Sequence, residues 1–98
     1  MKPTGWIVTR NYCDPRNCMY EEVEIIGPGD CEIPKEELLK GHPFKMYDDD
    51  HNLYYTGFLV GDKKSHEALT PLEDYGTPNA GASYIKYQND ETKKWESV

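Results

Sequence analysis

Long hydrophobic runs are missing from this chain: nowhere do the roughly 18 consecutive apolar residues that span a bilayer as a helix occur. Basic charge is scarce as well, with 11 Lys and Arg against 18 Asp and Glu and a net charge of −7. That balance opposes a polyanion, and pairs such as Lys63-Lys64 and Lys93-Lys94 are too small for a phosphate track, so direct nucleic-acid binding is disfavoured. Docking on anionic lipid, which rewards Lys and Arg, is disfavoured on the same ground. Cysteine is limited to three, an odd number that a disulfide framework does not normally leave. The opening Met1-Lys2-Pro3-Thr4-Gly5-Trp6 holds no apolar signal segment, so the expectation is a cytoplasmic protein with reduced thiols.

Catalytic signatures are also lacking. Gly27-Pro28-Gly29 has no following Gly-Lys-Ser/Thr, and the stretch from Gly76 to Gly81 has no lysine to meet a phosphate. Ser65-His66-Glu67 are adjacent in sequence, whereas a triad is assembled across a fold. Asp48-x-Asp50-x-Asn52 imitates the start of a calcium loop, but Leu53 stands where Gly is needed and Leu59 where the bidentate Glu belongs. Enzymatic function is therefore the weakest class, and no catalytic residue is assigned. Cys13, Cys18 and Cys31 are the candidate ligands of a structural zinc, which would make the chain a small metal-stabilised interaction module. Their spacing argues against it, because zinc sites pair ligands two to four residues apart and bring a second close pair. No cofactor is expected.

What is present is aromatic and acidic. The apolar share of 37% is low, yet the 12% aromatic content and the dense apolar runs separate the chain from disordered acidic segments. Its 98 residues suit one domain with one core. Residues 5–12 (GWIVTRNY) read as a strand ending in a turn at Asp14-Pro15-Arg16-Asn17. Residues 19–26 (MYEEVEII) put Met19, Val23 and Ile25 on one face and Glu22 and Glu24 on the other. Residues 33–41 (IPKEELLKG) are the one credible helix, with Pro34 and acids at its start, Gly41 at its end, and Ile33, Leu38 and Leu39 to pack on a sheet.

The clearest unit is a β-hairpin: Phe44 to Tyr47, a polar tip at Asp48-Asp49-Asp50-His51-Asn52, then residues 53–61 (LYYTGFLVG), where Gly57 permits a bulge or a close crossing. Residues 63–82, with Pro71, Gly76, Pro78 and Gly81, read as a long ordered surface loop with at most a turn of helix at 71–75. Residues 83–88 (SYIKYQ) form a strand and residues 95–98 pair back on it. The fold class is α+β, an antiparallel sheet of five or six strands with one short helix packed on it.

Carboxylates cluster at Glu21, Glu22 and Glu24, at Asp48, Asp49 and Asp50, and at Glu73 and Asp74. Solubility explains many acidic surfaces. The functional alternative is a phosphate-like array that engages the basic groove of a protein which itself holds nucleic acid. An edge strand in so small a sheet could also pair across a two-fold axis, leaving monomer and homodimer both open.

The hairpin KMYDDDHNLYYTGFLVGD together with PLEDYGTPNAGASYIKY, residues 45–87, resembles small uncharacterised proteins of phages and mobile elements of Firmicutes. Those proteins are similar in size and charge to anti-CRISPR inhibitors, which bind a Cas nuclease and block its loading with guide or target DNA. The resemblance implies a non-enzymatic inhibitor that occupies a basic nucleic-acid-binding surface; it carries over no individual residue.

Overall fold

A computed structural model describes residues 4–14, 19–27, 32–62 and 65–97. The strands are β1 (Gly5–Asp14), β2 (Met19–Gly27), β3 (His42–Tyr47), β4 (Leu53–Val60), β5 (Tyr84–Gln88) and β6 (Trp95–Ser97). They form one six-stranded sheet in the order β2-β1-β4-β3-β5-β6. Every neighbouring pair is antiparallel. Three hairpins thus lie side by side, which confirms the α+β class and the strand count expected from the sequence.

Alternation along the strands sends one set of side chains to a main core. Trp6, Val8, Phe44, Met46, Tyr55, Leu59, Ile85 and Tyr87 are buried there with Ala68 and Leu72. On the opposite face Ile7, Ile33 and Leu38 form a smaller cluster, flanked by Phe58 and Val60. The expected helix at 33–41 is a single turn, α1 (Lys35–Leu38), whose Leu38 is buried. Leu39, expected to pack beside it, is instead 39% exposed. One turn presents one side chain to the sheet, and the next residue is already rotated about 100° away.

Of residues 63–82, expected as a loop with at most a turn of helix at 71–75, the stretch 66–80 is helical throughout, which corrects that expectation. Helical backbone runs unbroken from 66 to 80: a 3₁₀ turn at His66–Leu69, a π turn at Leu72–Gly76 and α2 at Thr77–Ala80. Ser65 caps it by accepting from the Glu67 amide at 3.2 Å, and Gly81 ends it in the left-handed conformation at φ 68°. The Thr77 amide reaches back to the Leu72 carbonyl, five residues away. Pro78 has no N–H to give, so the helical ladder cannot continue in the ordinary register through this point. Gly76 fits here because a Cβ would lie 2.5 Å from the Met46 sulfur.

This bent helix covers the main core, leaving much of the other face open. Among the described residues no helix is long and apolar enough to cross a membrane.

Candidate interaction surfaces

The hairpin tip is built by one carboxylate. Asp48 Oδ1 accepts from the Asp50 and Asn52 amides, both at 2.9 Å, and Oδ2 accepts from Asn52 Nδ2 at 3.2 Å. The backbone closes around it, with the Asp48 amide donating to the Asn52 carbonyl and the His51 amide to the Asp48 carbonyl, each at 3.1 Å. The Asn52 amide, foremost among these donors, holds the Asp48 carboxyl below its ordinary value. His51 adopts a positive φ of 66°, and its Nδ1 meets the Tyr84 hydroxyl, tying the tip to the start of β5. A loop resembling the start of a calcium site thus spends its first aspartate on its own amides. Asp49 and Asp50 remain exposed.

The other acidic residues fall elsewhere. Glu21, Glu22 and Glu24 lie on β2, an edge strand, and all are exposed. Val23 and Ile25 pack toward the main core, so Glu22 and Glu24 stand on the open face, as the alternation predicts. Glu24 bonds to Lys35 of α1. Glu73 and Asp74 sit on the π turn that covers the main core, Glu73 3.3 Å from His66 Nε2. The antiparallel register places Glu21 at the same end of the sheet as the Asp48–Asp50 tip. Glu22 and Glu24 turn onto the open face, and Glu73 and Asp74 belong to the helical layer. Glu21 nevertheless lies two strands from the nearer arm of that hairpin, so the fold does not bring the acidic clusters together in one array.

The open face holds a surface that the sequence reading missed. Registers align Glu22, Arg10, Thr56, Lys45, Lys86 and Ser97 in one row across all six strands. Arg10 reaches this face only because β1 carries an irregularity at Thr9. Val8 opposes Gly57 and Arg10 opposes Thr56, so two steps on β1 match one on β4. Regular alternation from Val8 would have turned Arg10 into the core.

Each cation in this row lies over an aromatic ring. The Arg10 guanidinium carbon is 4.6 Å from the Tyr20 ring centre, and Lys45 Nζ is 4.4 Å from that of Trp95. Lys86 Nζ lies 5.4 Å and 5.8 Å from the centres of Tyr47 and Tyr84, which stack on each other at 5.3 Å and 12°. Beside the row runs an open groove of about 890 Å³ whose lining includes Arg10, Glu24, Lys35, Lys45, Phe58 and Trp95.

Of the zinc candidates, Cys18 and Cys31 lie outside the described residues, and Cys13 is placed in the β1 backbone alone. Among the described residues no three His, Cys, Asp or Glu side chains converge to hold a metal. No protein-family model matches the chain, and neither a curated protein nor a solved structure matches it.

Proposed function

We propose that this chain is a non-enzymatic acidic binding protein, an inhibitor of the anti-CRISPR-like kind its hairpin resembles. Its carboxylates would occupy a basic nucleic-acid-binding surface of a partner such as a Cas nuclease. The observation that carries this reading is the division of labour at the hairpin tip. Asp48 stiffens the turn through its two amide bonds and its link to Asn52, while Asp49 and Asp50 are left exposed beside it. Carboxylates on a turn held this way lose little conformational freedom on docking, which favours association. Opposite charge on the partner steers the encounter and makes it salt-sensitive.

The test is loading of a purified Cas nuclease with guide RNA and target DNA in the presence of this protein, at low and high salt. Wild-type protein should inhibit loading, more weakly as salt rises. Asp49→Asn with Asp50→Asn, which leaves the Asp48 turn untouched, should weaken inhibition by about tenfold or more. Undiminished inhibition by the double variant removes the hairpin tip as the contact. Absence of binding across a panel of such nucleases removes the reading itself.

A further inference from the structure

Lys45 and Lys86 are direct cross-strand partners. Like charges directly opposite each other on one sheet face are destabilising. Among the described residues neither lysine makes an ion pair, although acidic residues outnumber basic ones by 18 to 11. Arg10 extends the same row, bonded to the Tyr12 side chain and facing Glu22 across the strand gap. Folding thus assembles positive charge where an acidic sequence had carboxylates to spare, balanced in part by the rings beneath each cation. An anionic ligand would offset the repulsion that remains.

Flat rings border the row on both sides. Tyr47 and Tyr84 stack toward the hairpin end, and Trp95, opposite Gln88, stands toward the other end. An acidic peptide would draw the lysines off their rings and give the released rings nothing flat to stack on. A single nucleic-acid strand alternates phosphates with flat bases, matching both parts of the surface. From this geometry we propose that the open sheet face docks single-stranded nucleic acid. Arg10, Lys45 and Lys86 would meet phosphates, while Tyr47, Tyr84 and Trp95 would receive bases as the lysines swing from rings to phosphates.

The net charge of −7 does not forbid this. The acidic edge strand β2 is three strands from Lys45 on β3, about 14 Å at the usual strand spacing. That exceeds the screening length of about 8 Å at physiological salt, whereas Arg10 on β1 directly faces Glu22 and is the weakest of the three phosphate contacts. Summed over the chain, charge disfavours direct binding, but the register puts Arg10, Lys45 and Lys86 in one row with Glu22 at its far end. The proposal is independent of the hairpin-tip reading, since the tip and the row use different residues.

The experiment is a fluorescence titration with oligothymidylate and oligouridylate of roughly ten nucleotides. Stacking at Trp95 should quench emission, with Trp6 buried in the core as an unchanging background. Three phosphate contacts predict a log–log salt slope of about −2, or roughly a 15-fold loss of affinity between about 50 and 200 mM salt. Lys45→Gln with Lys86→Gln should weaken binding at least tenfold, and a cooperative melting transition in that variant excludes loss of the fold as the cause. Trp95→Leu should abolish the quench and weaken binding that is followed by anisotropy. Asp49→Asn with Asp50→Asn should bind oligonucleotide undiminished, which separates this surface from the tip. No binding by the wild type at low salt, or equal binding by the double-lysine variant, overturns the proposal. So does polyglutamate competing as well as the oligonucleotide, an outcome that would assign the face to acidic peptides instead.

Discussion

The Tyr87 hydroxyl donates to the Ala68 carbonyl at 2.8 Å inside the core, joining the sheet to the first turn of the helical layer. Burial pushes the Tyr87 phenol well above its ordinary range, so the group remains a neutral donor at all ordinary pH. Tyr87→Phe keeps the ring and its edge contact with Phe44 but strands the carbonyl without its partner. The expected loss is about 1–3 kcal/mol, the usual cost of orphaning a buried polar group. Urea unfolding measures it directly. Amide exchange should show the largest loss of protection at 66–70, and a variant as stable as wild type would mean that water reaches the Ala68 carbonyl.

Gly57 lies opposite Val8, beside the β1 irregularity. A Cβ there would lie 2.0 Å from the Ile7 carbonyl oxygen and 2.8 Å from Phe44 Cζ. Gly57→Ala therefore displaces backbone as well as side chain, with an expected cost of about 2–4 kcal/mol, at or beyond the upper end of ordinary overpacking. Gly81→Ala is the comparison: its Cβ meets nothing within 4 Å, but φ is +68°, so only the left-handed strain of about 1–2 kcal/mol applies. Thermal melts of the two variants should rank in that order. The reverse ranking would show that β1 and β4 separate easily at this point.

The sequence displayed what depends on neighbours in the chain and concealed what depends on register. The Phe44-to-Gly61 hairpin and the Val23, Ile25 against Glu22, Glu24 alternation rest on local period and turn chemistry, and both were legible. The Lys45–Lys86 pair joins residues far apart in sequence through β3 and β5, and Arg10 joins them only through the irregularity at Thr9. No local pattern announces either. The helical layer was hidden differently. Ala68, Leu72 and Tyr75 recur at helical spacing and pack on the core, but Pro71, Gly76 and Pro78 look like loop punctuation. Pro71 in fact adopts helical backbone early in the run, and Gly76 with Pro78 accommodates a π turn rather than ending the helix.

β2 is a nine-residue edge strand, with Tyr20 44% and Ile26 41% exposed. Such an edge invites pairing with a second chain unless charge guards it. If two copies paired antiparallel about Val23, Glu22 of each would oppose Glu24 of the other, a repulsive arrangement. Glu22→Thr with Glu24→Thr, which favours strand structure and removes that repulsion, should therefore associate more than wild type. Sedimentation velocity across a concentration series checks it. Equal sedimentation of the two proteins would free these glutamates from an edge-guarding role and leave partner contact as their stronger reading.

Acid should loosen the molecule at two defined points. Asp48 is held below its ordinary value of 3.8, first by the Asn52 amide. Glu67 is held below 4.5, first by the Thr4 hydroxyl and then by the Asp62 amide; it thereby ties the chain ahead of β1 to the start of the helical layer. Folded-state values lying below the unfolded ones mean that the native protein binds fewer protons, so stability rises with pH across this range. The contribution is complete above the ordinary values and is lost as pH falls through the lowered folded ones. Stability measured from neutral pH downward should stay level on this account until about pH 4.5 and then decline. Asp48→Ala should be less stable at neutral pH and should decline less steeply, since one of the two groups no longer titrates. Parallel curves for variant and wild type would mean that the turn stays closed with Asp48 protonated, its carboxyl oxygen still accepting from the Asp50 and Asn52 amides.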